Sequence, residues 1–232
     1  MALTAVLTAA VLWLAATHRL SLYINPRYIV FTSVMTSISL AAFLAAAVMR
    51  HHDERPRKAR ASTVVAGACA GVLALALLLI QPAALTSGTA LQRGINSGGL
   101  DLTTATNVTA FGSADYAHFT IQEWASILSQ VNSAAFFQGK TARLIGFVAP
   151  AGQNDPDVFY VSRFVITCCA IDAQPVGVPV YEPGWQQSYP ANSWVDLRGG
   201  FMPNPNKQSG TSVLLKPAAI VKIPEPQDPY VH

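Results

Sequence analysis

The chain has 232 residues, of which 51% are apolar and only 12% charged, with a mean hydropathy of +0.34. An ordinary soluble domain carries about twice that share of charge. The deficit excludes a disordered chain, a nucleic-acid-binding tail and a charged scaffold, and it points to a membrane. Three cysteines without a Cys-x-x-Cys pair exclude a disulfide framework and the common zinc ribbons.

The first apolar stretch, residues 2–17, is followed by His18 and Arg19. No Lys or Arg precedes it, unlike the basic start of a secretory signal. It is read as a first membrane span over about residues 3–23, with Arg19 reaching to the interface. Residues 28–49 hold no charge and are bounded by Arg27 and Arg50. As a helix they would rise about 33 Å, enough to cross a bilayer. A third charge-free run gives a span over residues 62–81. Within it, Gly67 and Gly71 at four-residue spacing offer a small-residue face for packing against another membrane helix.

Residues 50–60 contain four Arg and one Lys against Asp53 and Glu54. The positive-inside rule places that loop, and with it the N-terminus, in the cytoplasm. Everything after the third span then lies outside it, in a multi-pass protein of the cell membrane. Residues 82–232 hold eight basic and ten acidic residues, so the positive charge belongs to the membrane half. Nucleic-acid binding by the C-terminal half has no electrostatic footing.

Residues 82–111 are rich in Ser, Thr, Gly and Asn and read as a tether. Residues 112–232 form the extracytoplasmic domain. Thr120-Ile-Gln-Glu123 fits a capping box that starts a short helix, whose Ile121, Trp124, Ile127, Leu128 and Val131 share one face. From Gly139 the period becomes that of strands, expected at 143–148, 158–167, 177–181, 194–199 and 213–223. Five short strands broken by Gly and Pro predict a small all-β, OB-like barrel preceded by a short helix. Gly139-Lys140-Thr141 is not a phosphate-binding loop, because Ala134 stands where that motif needs Gly and a strand follows.

The vicinal pair Cys168-Cys169 is the feature best suited to chemistry, and three readings compete. On a strand one sulfur would face the core, as a small hydrophobe. A vicinal disulfide is permitted outside the cytoplasm, although neighbouring Cα atoms lie only about 3.8 Å apart, which would strain it. A soft metal such as zinc could be held by Cys168, Cys169 and Asp172, with His118 or His232 as remote helpers. No Ser/His/Asp set, nucleophile elbow or dinucleotide fingerprint is present, so no enzyme is expected.

Phe137-Gln-Gly-Lys140, Ile145-Gly-Phe-Val148, Tyr160-Val-Ser-Arg-Phe-Val-Ile-Thr-Cys-Cys169 and Asp172-Ala-Gln-Pro175 occur in this order, followed by Trp194-Val195, Gly199 and Pro224-x-Pro-x-x-Pro-Tyr-Val231. This set resembles the YcgQ-like bacterial membrane proteins. The resemblance singles out Gly139, Lys140, Gly146, Phe147, Arg163, Phe164, Asp172, Trp194, Gly199, Pro229 and Tyr230 as motif residues. It implies an accessory subunit of a two-component permease, paired with a separate polytopic permease protein. The extracytoplasmic domain would then serve partner docking or ligand delivery. The alternative from the residues themselves is a membrane-tethered protein that handles thiols or metal through Cys168 and Cys169.

Overall fold

The computed structural model describes residues 2–52, 65, 67–72, 74, 76, 84–98, 116–131, 133–152 and 155–232. Its contacts divide the chain into two units, Met1–Ala84 with Cys168–Ala170, and Leu85–Thr167 with Ile171–His232.

In the first unit, helix α1 covers Ala2–Ala16 and helix α2 covers Ile29–His52. The helix is therefore shorter than the span expected at 3–23. The helix stops at Ala16, His18 takes a left-handed φ of 56°, and 3-10 turns at Leu20–Leu22 and Pro26–Tyr28 follow. Asn25 starts the second turn by accepting the Arg27 N–H on its side chain, 3.0 Å away, with Pro26 at the first position. Fifteen residues of helix rise only about 22 Å, less than the hydrocarbon thickness of a bilayer. The apolar segment Pro26–Met49 is long and apolar enough to cross a membrane, by length and composition. Its Val30, Phe31, Ile38, Val48 and Met49 are all exposed.

Most of the third expected span, the loop residues 53–60 and the segment 99–115 lie outside the described residues. Gly67 and Gly71 are helical, and a Cβ built on either meets nothing within 4 Å. Also within this unit, Ile24 forms an antiparallel bridge with Cys169. The Asn25 N–H donates to the Cys168 carbonyl (3.0 Å) and the Ala170 N–H to the Tyr23 carbonyl (2.8 Å).

The second unit is a six-stranded sheet with helices. In chain order it has α3 (Ser87–Arg93), α4 (Ile121–Gln130) and α5 (Ala134–Phe137). These precede β1 (Thr141–Pro150), β2 (Val158–Val165) and β3 (Gln174–Tyr181). Then come α6 (Trp185–Ser188), β4 (Trp194–Pro203), β5 (Val213–Ile223) and β6 (Tyr230–Val231). The capping box forms as the sequence predicts: Glu123 N–H donates to Thr120 Oγ1 (3.3 Å), and Thr120 N–H donates to Glu123 Oε2 (2.6 Å).

The strand order is β1-β4-β5-β3-β2-β6, and β1 also pairs with β2. The first five strands thus hydrogen-bond in a ring. All five expected strands occur, with ends shifted by a few residues, and β6 is a sixth that the sequence pattern did not reveal. The side chains that face inward include Trp124, Phe159, Val161, Val178, Leu197 and Leu215, none more than 1% exposed.

The ring has two thin seams. Strands β1 and β2 pair only over 147–150 and 159–162, and β6 continues along β2 in parallel at Phe164 and Val165. Strands β3 and β5 pair at Val180 and Leu215. Below that point the backbone groups of β3 are taken by residues just after α3. The Asn96 N–H donates to the Pro175 carbonyl, and the Asn96 side chain both donates to and accepts from Gly177. Part of the segment read as a tether is therefore folded onto the sheet, with Ser87 and Ala90 buried.

Candidate functional site

The motif residues separate into two groups by what they touch. Most of them build the scaffold. Gly139 turns the chain into β1 with a φ of 74°. Lys140 donates to the Phe136 carbonyl, and its Nζ lies 4.2 Å and 4.8 Å from the ring centroids of Phe136 and Tyr116. Aromatic faces thus engage this cation. Phe147 stacks on Phe164 at 5.5 Å and meets the edge of Trp194 at 5.9 Å. The Arg163 guanidinium lies over Trp194 and donates to the carbonyls of Asp228 and Pro229, which holds the C-terminal segment in place. Burial pulls the pKa of Arg163 below its ordinary value, partly opposed by the charge of Asp228. The buried Tyr230 accepts the Leu85 N–H on its hydroxyl at 3.1 Å.

Gly146 and Gly199 are required for close approach. A Cβ on Gly146 would stand 2.5 Å from the Ser162 carbonyl oxygen, and one on Gly199 2.2 Å from that of Lys216. In both cases the obstacle is backbone, which no rotamer change can remove.

The second group is Cys168, Cys169 and Asp172, in the loop that joins β2 to β3. The two sulfurs lie 3.5 Å apart, so they stand as two thiols without a bond between them. Cys168 is exposed, and Cys169 and Asp172 are half-buried. Neither sulfur fills the core, because β2 ends at Val165 and the strand alternation that would have pointed one inward has stopped. The Thr167 N–H donates to Asp172 Oδ1 at 3.2 Å and folds the carboxylate back toward the thiols. One ligand atom from each of the three residues lies within 4.8 Å of the others.

Two thiolates on a tetrahedral zinc ion, each about 2.3 Å from the metal, are about 3.8 Å apart. The observed spacing needs an adjustment of only a few tenths of an ångström. Two thiolates with one carboxylate are a borderline-soft set that fits Zn²⁺ better than the all-oxygen ions Mg²⁺ and Ca²⁺. The remote histidines do not join this group. His232 Nε2 sits 3.1 Å from Asp228 Oδ1, and His118 is exposed in a 3-10 turn.

Arg93 and Asn96 escaped the sequence reading, although both bond to β3 or to the residue just before it. The only local signal is an Asn between two glycines, in a stretch whose composition is that of a loop.

The family model for the DUF1980 C-terminal domain matches residues 104–232, more than half of the chain. The chain belongs to this family. No curated protein sequence matches it. Among solved structures, an OBody bound to hen egg-white lysozyme is similar at 20% identity, covering 38% of this chain and 98% of the OBody, with a TM-score of 0.24. The family's domain thus takes in α4, α5 and all six strands, and both cysteines of the loop.

Proposed function

We propose that this chain is the membrane-anchored accessory subunit of a permease-type complex, and that its extracytoplasmic domain captures a soft metal ion, zinc above all, through Cys168, Cys169 and Asp172. The observation that carries the reading is the convergence of one exposed thiol, one half-buried thiol and a carboxylate within 4.8 Å on one loop. Thiols outside the core with a carboxylate folded toward them are suited to act as metal ligands. The exposed apolar side chains of Pro26–Met49 support anchoring, since lipid is the solvent in which they need no cover. The basic residues 50–60 support a multi-pass topology with the N-terminus inside and the β-rich domain outside. The ring of five paired strands, with a parallel contact between β3 and β5, supports an OB-type barrel that presents the loop. The partner is a polytopic permease protein, as the YcgQ-like resemblance implies, and no enzymatic step is assigned to the domain.

The test is a Cd²⁺ titration of the full chain in detergent micelles, read by the thiolate-to-metal absorbance band. One ion per chain is expected. Cys168→Ser and Cys169→Ser should each remove most of the band, and binding should weaken as pH falls because protons compete for the thiolates. A chain that gives no band, or two serine variants that both bind like the parent, would refute the metal reading.

A further inference from the structure

The loop that carries the thiols has two arms, and each is held by a segment from elsewhere in the chain. The outgoing arm is the end of β2. Phe164 and Val165 pair with Tyr230 and Val231 of β6, and the Ile166 N–H donates to the Val231 carbonyl at 3.0 Å. Arg163 secures β6 in turn through the carbonyls of Asp228 and Pro229. The returning arm is the start of β3. Arg93 donates to the Ala173 carbonyl, next to Asp172 in the chain. The Asn96 N–H donates to the Pro175 carbonyl at 3.0 Å, and its side-chain amide makes two bonds to Gly177, at 2.8 and 2.9 Å. Asn96 has a φ of 62°, a conformation that Asn tolerates better than most residues and that lets backbone and side chain reach β3 together.

The two arms pair with each other as far as Val165 and Gln174, and the straps take their other edges at the thin seams of the sheet, where β1 and β5 do not reach. Five residues between the arms, 168–172, then hold all three ligand atoms. Resting on the metal reading above, we infer that these two straps, residues 93–96 and 228–231, are positioning elements that hold the dithiol loop converged. Arg93 and Asn96 act on the carboxylate side and Arg163 with β6 on the thiol side. Neither strap supplies a ligand. They set the distance between ligands, as outer hydrogen-bond partners do in metal sites.

The experiment compares the full chain with Asn96→Ala and Arg163→Gln, and with Leu197→Ala as a control in the barrel core, where the side chain is fully buried. Two readouts are taken, hydrogen exchange of the amides of residues 166–173 without metal, and Cd²⁺ affinity. Both strap variants should exchange at least about tenfold faster in this loop and bind Cd²⁺ about 10–100-fold more weakly, the range for lost outer partners. Leu197→Ala should leave the loop close to the parent in both. Unchanged loop exchange in the strap variants, an equal effect of Leu197→Ala, or unchanged Cd²⁺ affinity with a loosened loop would each overturn the inference. If the parent chain itself binds no Cd²⁺, the metal reading falls, and the exchange data alone decide whether the straps hold the loop.

Discussion

Gly199 offers the sharpest quantitative test of the fold. The β4–β5 ladder shifts register between Arg198, opposite Ala219, and Gly199, opposite Pro217, so β5 carries one extra residue there. Pro217 has no N–H to give, and a bulge is a place where a strand can accommodate such a residue. The cost is proximity. A Cβ on Gly199 would lie 2.2 Å from the Lys216 carbonyl oxygen, 2.9 Å from its carbon and 3.0 Å from the Pro217 Cα. Gly199→Ala therefore forces two paired backbones apart by roughly 1 Å, a strain of about 1–3 kcal/mol in a well-packed region. For a domain of this size, at roughly 4 °C per kcal/mol, the melting midpoint should fall by about 4–12 °C. Gly200 is the internal control, because its added Cβ meets only the Lys140 carbonyl oxygen at an ordinary 3.7 Å. The assay is thermal unfolding of the full chain in detergent followed by tryptophan fluorescence, since Trp124, Trp185 and Trp194 are all buried in the β-rich unit. Equal midpoints for Gly199→Ala and Gly200→Ala would refute the argument.

Thr120→Ala removes the acceptor for the Glu123 N–H and should cost about 1 kcal/mol, whereas Thr120→Ser should cost much less; denaturant midpoints distinguish the two. Arg143 and Asp196 are joined by two hydrogen bonds, at 3.1 and 2.6 Å, and this contact, chiefly the hydrogen bond, lowers the pKa of Asp196. A carboxyl depressed in the folded state adds stability above its ordinary value near 3.8, and loses it as pH falls through the folded value. Arg143→Gln should therefore be less stable than the parent at neutral pH and match it in strong acid. A difference that stays constant through the acid range would show that the pair contributes nothing through ionisation.

What the sequence determined by itself was whatever depends on near neighbours. The Thr120–Glu123 capping box spans three residues, and the five ring strands declare themselves by alternation over fewer than a dozen residues each. The apolar run 28–49 needs only the absence of charge between Arg27 and Arg50. The same local logic overextended α1, because composition does not register the left-handed turn at His18. It also grouped Cys168, Cys169 and Asp172, since they lie within five positions of one another.

Only the tertiary structure decided which face of the strand end those residues occupy. The last β2 residue is Val165, so alternation no longer dictates that one sulfur is buried. Strand β6 is two residues long and has no period to read; it exists because Phe164 and Val165 extend beyond their pairing with β1 and need other partners. Asn96 looks like a loop residue until Gly177, 81 positions away, presents a donor and an acceptor that β5 does not reach. Gly146 and Gly199 stand out in the sequence only as motif letters, and their reason is the carbonyl of another strand within 2.5 Å of where a Cβ would be. Each of these features satisfies a backbone group or a close approach created by a distant segment, and residues so far apart leave no pattern in the chain until folding brings them together.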